Sequence, residues 1–265
     1  MRTSSRFIIL GSSSGLPQAD RATAGYALEV EGRLSLIDCG GGVTSSFLKC
    51  GLDPLAVDRI FISHTHPDHC CELPLFIQLV YLVGRQDPLD IYVPDEFVRP
   101  LLDYLRAVYL IPEKMPFELN VSGYGAGWCF DEAFRLTALA NRHLEGYRDL
   151  INKLNLPNRM QSHSFVLEVD GVRLYYSADV RDVDDVLPHL ATVDIAVVEV
   201  THLDLSTLFS GSSVANIKRV VLTHLGTSDE IDGIKMLIAK HGLDNVSIAH
   251  DGMIIPLSPD SQRYE

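Results

Sequence analysis

The chain has 265 residues, of which 46% are apolar and 22% are charged, a composition typical of globular proteins. Its formal net charge of -13 repels nucleic-acid phosphate at long range and argues against a general DNA- or RNA-binding protein. No apolar run reaches the roughly 18 residues of a membrane-spanning helix, and the five scattered cysteines predict no disulfide framework, which favours a reducing, cytoplasmic location.

The first half of the chain alternates short apolar strands with helices. FIIL and RLSLIDCGGG are predicted strands, and the second leads into a short helix, VTSSFLKCG, that ends at Gly51. RIFIS and LDIYVP are further predicted strands. Helices are predicted for ELPLFIQLVYLVG, which is largely apolar, and for DEFVRPLLDYLRAVYL.

The second half adds a hairpin to this pattern. SFVLEVDGVRLYYSAD contains two apolar runs that turn at Asp170-Gly171, a dipeptide suited to a two-residue hairpin loop. FRLTALANRH, VDIAVVEV, RVVLTHL and VSIAHDGMIIPL are each predicted to form a strand, and EIDGIKMLIAKHG an amphipathic helix. This mixture predicts an α/β sandwich with mixed sheets. Because no Pro/Gly/Ser-rich linker separates two halves, residues 1–265 are predicted to form a single domain.

The segment HTHPDH places three imidazoles and a carboxylate within six residues, directly after the apolar strand RIFIS. In an extended or turning segment, His64, His66 and Asp68 alternate along the chain and can face one way. The adjacent His69 can diverge toward a second centre. Imidazole nitrogens and carboxylate oxygens are metal ligands when the backbone holds them in place. A tight loop after a rigid strand can therefore serve two metal ions.

Three more residues of the ligand type follow other apolar runs. His143 ends FRLTALANRH, Asp179 ends VRLYYSAD, and His224 ends RVVLTH. Each is the first strong donor after a predicted strand, as in the HTHPDH loop. Four strands that each end in a ligand-type residue indicate a shared metal site.

These motifs together resemble the metallo-β-lactamase superfamily, whose H-x-H-x-D-H signature HTHPDH matches. The resemblance covers nearly the whole chain and implies a four-layer αββα sandwich with a two-metal site at one edge. The segments similar to the ribonuclease Z-like phosphodiesterase branch occur in that branch's order: ILGSSSGLPQADRATAGYALEVEGRLSLIDCGGG, RIFISHTHPDHCCELPLFIQ, LDIYVP, VLEVDGVRLYYSADV, VVEVTH, VVLTHLG and HDGMIIPL.

The resemblance also implies a role for each ligand-type residue. Carried over by motif, the two metals would be held by His64, His66 and His143, and by Asp68, His69 and His224, with Asp179 bridging them. Two zinc ions are the first expectation, with manganese or iron as alternatives that the same ligands accept. Asp38 of LIDCG matches a position that orients a ligand histidine.

The implied activity is that of a metal-dependent hydrolase, in which a hydroxide bridging two ions attacks a small phosphodiester. Asp68, Glu199 and His202 are the predicted catalytic residues. Glu199 matches a branch position that acts with a later His-Ser-Thr motif in passing a proton to the leaving group. Here that motif is reduced to LST, so His202 takes the predicted role of general acid, with His163 as the alternative.

Departures from the branch bear on the substrate. The strand pair SFVLEVDGVRLYYSAD carries no tRNA-binding arm, and residues 144–163 form an insertion that is predicted to be either a lid or a loop over the sandwich edge. A small anionic ester is therefore the expected substrate, without tRNA or membrane as a partner, and a homodimer is possible. The alternatives are a lactone, thioester or sulfate-ester hydrolase that uses the same site, and a non-catalytic carrier protein of the same fold.

Overall fold

The computed structural model of the protein describes residues 5–210 and 212–257. Its strands, in chain order, are β1 (Arg6–Gly11), β2 (Gly25–Val30), β3 (Arg33–Cys39), β4 (Val57–Phe61), β5 (Leu89–Pro94), β6 (Leu119–Tyr124), β7 (Cys129–Asp131), β8 (Arg135–Ala140), β9 (His163–Val169), β10 (Val172–Tyr176), β11 (Ile195–Glu199), β12 (Arg219–Thr223), β13 (Val246–Ile248) and β14 (Ile254–Pro256). Its α-helices are α1 (Val43–Lys49), α2 (Pro67–Cys70), α3 (Leu73–Leu82), α4 (Val98–Ala107), α5 (Arg148–Leu154), α6 (Leu187–Leu190), α7 (Leu205–Ser210), α8 (Ser212–Asn216) and α9 (Ser228–His241). Within these residues, none of the helices combines the length and apolar character needed to cross a bilayer.

The strands form two seven-stranded sheets, ordered β14-β1-β2-β3-β4-β5-β6 and β13-β12-β11-β10-β9-β8-β7. In the first sheet the pairs from β14 to β3 are antiparallel and those from β3 to β6 are parallel. In the second sheet the pairs from β13 to β10 are parallel and those from β10 to β7 are antiparallel. The predicted hairpin joins β9 to β10, and Asp170 and Gly171 both have the positive φ that its turn requires. The prediction of mixed sheets is confirmed.

Both faces of each sheet are buried, because apolar residues occupy both sides of the strands. In β1, Phe7 and Ile9 point into the core between the sheets, whereas Ile8 and Leu10 pack beneath the helices. Side chains of α1, α3 and α4 cover the first sheet, and those of α6, α7 and α9 cover the second. The layers are therefore helix, sheet, sheet and helix, as predicted.

The prediction of one continuous strand in VSIAHDGMIIPL is wrong. This segment forms β13 in the second sheet and β14 in the first, and a turn at Asp251 and Gly252 connects them. The Asp251 carboxylate accepts hydrogen bonds from the backbone N–H of Ser12 at 2.9 Å and of Ala22 at 2.7 Å, which holds the crossing in place. Gly252 has a φ of 83°, a conformation that favours glycine.

Candidate metal centre

Strand ends from both sheets meet at one edge of the sandwich. β4 leads to His64 in the first sheet, and β8, β10 and β12 lead to His143, Asp179 and His224 in the second. Because β10, β11 and β12 are parallel, their carboxyl ends share this edge. The loop that leaves β4 and runs through α2 carries the remaining three candidate ligands, His66, Asp68 and His69.

The seven candidate ligands form two sets in which all the donor atoms lie within 4.8 Å of one another. The first set consists of His64, His66, His143 and Asp179, and the second of Asp68, His69, Asp179 and His224. In the first set, Nδ1 of His66 is 3.0 Å from Nε2 of His143. In the second, Nε2 of His224 is 3.1 Å from Oδ2 of Asp68. The donor atoms of each set therefore converge on one point.

Asp179 belongs to both sets and directs one carboxylate oxygen to each. Its Oδ2 atom lies 3.6 Å from Nε2 of His143 and 4.0 Å from Nε2 of His64. Its Oδ1 atom lies 3.1 Å from Nε2 of His69 and 3.3 Å from Nε2 of His224. This arrangement is the one that a carboxylate bridging two cations needs.

Asp38, fully buried at the end of β3, holds the ring of His69. Its carboxylate accepts hydrogen bonds from the backbone N–H of Ser63 at 2.7 Å, the Ser63 hydroxyl at 2.8 Å and the Tyr176 hydroxyl at 2.7 Å. The Oδ2 atom of Asp38 also accepts a hydrogen bond from Nδ1 of His69 at 2.8 Å. A neutral imidazole that donates from Nδ1 keeps the Nε2 lone pair for a metal ion.

Two hydroxyl groups, neither of them predicted from the sequence, orient two other rings in the same way. Ser63 Oγ gives its own proton to Asp38, so it accepts a hydrogen bond from Nδ1 of His64 at 3.1 Å. Thr201 Oγ1 donates to the backbone carbonyl of His224 at 2.8 Å and accepts from Nδ1 of the same residue at 3.0 Å. Both rings therefore present Nε2 to the cluster. The role of Ser63 could have been predicted from its position directly before HTHPDH.

Several buried polar atoms at the centre of the cluster have no hydrogen-bond partner among the described residues. They are Nε2 of His64, Nε2 of His69 and Oδ1 of Asp179. An unpaired buried polar group costs about 1–3 kcal/mol, and here three such atoms face one another. Divalent cations satisfy such atoms, and a mixed set of imidazole and carboxylate ligands fits zinc, manganese or iron. The residues present therefore fit a pair of divalent metal ions.

The protonation states of His64, His143 and Asp179 suit metal binding, whereas His69 must lose a proton to bind a metal ion. Burial opposes charge on His69, but the carboxylates of Asp179 and Asp38 raise its pKa well above the ordinary value. Burial lowers the pKa of His64 well below its ordinary value and that of His143 to about 4, so both rings are neutral near pH 7. Burial opposes charge on Asp179 as well, but the neighbouring His69 holds the pKa of this carboxyl well below its usual range. Neutral imidazoles and ionised carboxylates are the forms that coordinate metals.

Comparison with known proteins identifies the family. Residues 33–225 match the family described as Beta-lactamase superfamily domain, and this range contains all seven candidate ligands. The chain belongs to this family. The predicted superfamily is therefore confirmed.

Single proteins of known sequence or structure are similar to this Beta-lactamase superfamily protein over nearly its whole length. Ribonuclease Z from Methanothermobacter thermautotrophicus is 26% identical, over 95% of this chain and 98% of the relative. The metallo-beta-lactamase fold protein YhfI from Bacillus subtilis has a TM-score of 0.72 and 20% identity, over 96% of this chain and 99% of that one. A diphosphatase from the PhnP family has a TM-score of 0.68 and 14% identity, over 96% of this chain and 98% of that one. The two structural likenesses show the fold.

Three residues at the metal centre of this superfamily protein adopt left-handed backbone conformations without being glycine. Asp38 has a φ of 59°, Ala178 of 47° and His224 of 57°. Each lies at or just after the end of a strand, so its backbone redirects the chain at the edge where the ligands lie. Such conformations cost about 1–3 kcal/mol each and are typical of functional sites.

Glu199 and His202 form a hydrogen-bonded pair beside the cluster. Glu199 is buried at the end of β11, and its Oε1 atom lies 2.9 Å from Nδ1 of His202. The side chain of His202 is 36% exposed, and its ring centroid is 4.8 Å from that of His143. The hydrogen bond to Glu199 raises the pKa of His202. An accessible imidazole next to the candidate ligands can therefore hold a proton.

The structure places His163, the alternative proton donor, away from this position. It is buried in β9, its backbone N–H donates to the carbonyl of Ser63 at 3.2 Å, and its ring packs on Tyr124 with centroids 4.8 Å apart. Burial also lowers the pKa of His163. This histidine contacts residues of the first sheet from β9 of the second, and its side chain is buried.

The segment predicted as an insertion, residues 144–163, leads into β9, which begins at His163. It consists of the remainder of a 3-10 turn (His143–Tyr147), helix α5 and a loop. The ring centroid of Tyr147 lies 5.9 Å from that of His66, so the insertion lies beside the metal centre of this superfamily protein. Between the two lies a pocket of about 320 Å³.

Proposed function

We propose that the protein is a metal-dependent hydrolase that cleaves a small phosphodiester with two divalent ions, zinc being the first candidate. The observation that carries the proposal is the carboxylate of Asp179, which directs one oxygen to each of two converging donor sets. The ligands proposed for the two ions are His64, His66 and His143 on one side and Asp68, His69 and His224 on the other, with Asp179 shared. When bound, such ions lower the pKa of a coordinated water and neutralise anionic ester oxygens.

The protein's own side chains supply orientation and a proton. Asp38 and Thr201 turn Nε2 of His69 and His224 toward the cluster. In the hydrolysis, a water oxygen is added to phosphorus and the bond from phosphorus to the leaving oxygen breaks. His202, held by Glu199, donates the proton that the leaving oxygen takes up.

The charge of the protein supports a small substrate. The net charge of -13 repels a long polyanion, because affinity for nucleic acids rests on neutralising many phosphates. A single phosphodiester makes no such demand, since the field of two bound dications acts at short range. We therefore propose a small phosphodiester in place of the RNA substrate implied by the name of the ribonuclease Z relative.

The proposal is tested with Zn²⁺-loaded protein and bis-p-nitrophenyl phosphate, by following release of p-nitrophenolate. The variant Asp179→Ala removes the shared carboxylate and should lower kcat/KM by roughly a thousandfold or more, a loss typical of a group acting on the transition state. The control His189→Ala lies on α6 against Tyr175, with ring centroids 5.3 Å apart, and should retain activity. Inertness of the metal-loaded protein toward a broad panel of phosphodiesters would refute the proposal.

A second candidate is hydrolysis of a carbonyl ester such as a lactone or thioester. The observation that favours it is the largely apolar wall of the pocket beside His66, since carbonyl esters bring apolar acyl groups to a site. The same panel, extended with p-nitrophenyl acetate, a γ-lactone and an acyl thioester, separates the two. Higher kcat/KM for a carbonyl ester than for any phosphodiester selects the second candidate.

A further inference from the structure

The pocket between the insertion and the HTHPDH loop is built mainly from apolar side chains. Its volume is about 320 Å³, and the apolar residues around it are Leu144, Tyr147, Leu150, Ile151, Leu156 and Met160. Leu150 and Leu156 are 51% and 45% exposed. Apolar surface left open beside a functional centre marks a place that a ligand covers.

The pocket is continuous with the metal centre. His66, a member of the first donor set, also lines the pocket together with Thr65. Tyr147 forms part of the wall and meets the His66 ring at an interplanar angle of 74°. A molecule whose polar head lies at the donor cluster can therefore extend an apolar group into the pocket without leaving the protein surface.

Thr65, Glu96 and Asn158 also line the pocket, and the charge of Glu96 is engaged by the backbone. The carboxylate of Glu96 accepts hydrogen bonds from the backbone N–H of Gln161 at 2.7 Å and from that of Arg159. The Arg148 guanidinium donates to Glu145 at 3.2 Å on the exposed side of the insertion. The residues that line the pocket are mainly apolar and include neither lysine nor arginine, so the lining offers phosphate no cationic side chain of these types.

The walls of the pocket are held in place from both sides. At the start of the insertion, Arg142 donates to Asp185 at 2.7 Å and to Asp182 at 2.6 Å. At its end, the side chain of Gln161 accepts from the backbone N–H of Glu96 at 2.9 Å, which ties the loop to the first sheet. A site whose walls are already positioned binds without a large cost of ordering.

We propose that this pocket binds an apolar substituent of the substrate, an aryl or short alkyl group, and thereby selects among the small phosphodiesters. This inference rests on the proposed function. The size agrees, because an apolar cavity of about 150 Å³ accommodates a benzene molecule, and the pocket has about 320 Å³. A nucleoside, whose sugar and base carry many polar groups, fits such a wall poorly.

The geometry also indicates which substituent enters the pocket. The ring of His143 contacts both His66, which lines the pocket, and the proposed proton donor His202, with centroids 4.8 Å apart in each case. The leaving group lies next to His202, which protonates it. Because His66 lines the pocket and His202 does not, the pocket is assigned to the ester group that stays on phosphorus.

The experiment compares two diesters with the same leaving group, phenyl p-nitrophenyl phosphate and methyl p-nitrophenyl phosphate. Their kcat/KM values with Zn²⁺-loaded protein are each divided by the rate constant of alkaline hydrolysis. The normalised ratio of phenyl to methyl should exceed about ten, the preference that a few apolar carbons confer. Leu150→Gln, which makes the wall polar, should lower this ratio about tenfold. Leu154→Gln is the matched control, since Leu154 lies on the same helix, is 55% exposed and does not line the pocket.

A second measurement does not depend on turnover. Binding of phenylphosphonate and methylphosphonate to Zn²⁺-loaded protein is measured by isothermal titration calorimetry. Wild type should bind the phenyl compound about tenfold more tightly, and Leu150→Gln should remove this preference while Leu154→Gln keeps it.

The outcomes separate the two proposals. Diester hydrolysis with a ratio near one in wild type overturns the pocket assignment and leaves the proposed function standing. If no diester is hydrolysed but phenylphosphonate binds more tightly than methylphosphonate, the proposed function is overturned and the pocket assignment stands. If both leucine variants change the oligomeric state in light scattering and neither changes the ratio, the surface is an interface between copies and the assignment is wrong.

Discussion

Glu199 holds His202 through a hydrogen bond of 2.9 Å between Oε1 and Nδ1, within a single turn that follows β11. Glu199 also accepts a hydrogen bond from the backbone N–H of His202 at 3.0 Å, so both the ring and its backbone are fixed by one buried carboxylate. The imidazole is thereby kept beside the donor cluster, at the position where the proposed reaction needs a proton.

The first prediction concerns pH. A general acid must be protonated, so activity falls as pH rises through the pKa of His202, and the hydrogen bond to Glu199 raises that pKa. Glu199→Gln removes the charge that favours the imidazolium, and the basic limb of the kcat profile should move to lower pH. His202→Ala should abolish this limb and lower kcat by about a hundredfold.

A dependence on the leaving group distinguishes proton donation from a structural role of His202. The loss in His202→Ala should be larger for a phenol leaving group than for p-nitrophenol, because the better leaving group needs less protonation. Equal losses for both leaving groups, or an unchanged pH profile in Glu199→Gln, would contradict the assignment. His250→Ala is the control, since His250 is exposed and its Nδ1 atom lies 3.0 Å from the backbone carbonyl of Asp251.

A second prediction tests how Thr201 orients His224. Thr201→Val keeps the side-chain shape but loses the oxygen that accepts from Nδ1 of His224 at 3.0 Å. Loss of such a supporting group typically lowers metal affinity by about 10- to 100-fold. Thr201→Ser keeps the oxygen and should bind Zn²⁺ like wild type in competition with a fluorescent chelator. Equal affinities of the valine and serine variants would show that the hydroxyl does not orient the ring.

Two adjacent glycines after β3 should respond very differently to substitution. A Cβ on Gly40 would lie 1.9 Å from the backbone oxygen of Asp68 and 2.3 Å from Oγ1 of Thr23, whereas a Cβ on Gly41 would make ordinary contacts of 3.7 Å or more. Gly40→Ala should therefore displace the loop that carries Asp68, lowering both the melting temperature and bound zinc. Gly41→Ala should resemble wild type in thermal unfolding and metal analysis. Similar behaviour of both variants would contradict this account.

The strain at Ala178 predicts a difference between two alanines. Ala178 and Ala196 are both buried, but only Ala178 has a positive φ, of 47°. Glycine adopts this conformation without the cost of about 1–2 kcal/mol that other residues incur. Ala178→Gly should therefore destabilise the protein less than Ala196→Gly, by at least about 1 kcal/mol in urea unfolding. A larger loss for Ala178→Gly would mean that the turn is not strained.

The sequence by itself indicated most of the strands and the candidate ligands, but it did not predict β2, β6 or β7. Alternating burial in β1 follows from its run of apolar residues, and the hairpin at Asp170 follows from its turn dipeptide, because both depend on local periodicity and backbone preference. The position of His64, His143 and His224 directly after apolar strands was visible for the same reason. The resemblance of HTHPDH to a known signature then indicated which residues act together.

Only the tertiary structure showed which supporting groups surround the candidate ligands. The contact of His202 with His143, the support of His224 by Thr201 and the pocket beside His66 all depend on contacts between residues far apart in the chain. The closing segment VSIAHDGMIIPL was predicted as one strand although His250-Asp251-Gly252 interrupts its apolar residues, and in the structure these residues separate β13 and β14, which pair with different sheets. Local patterns specify strands and turns, but the convergence of side chains depends on how the two sheets pack, and no short stretch of sequence encodes that packing.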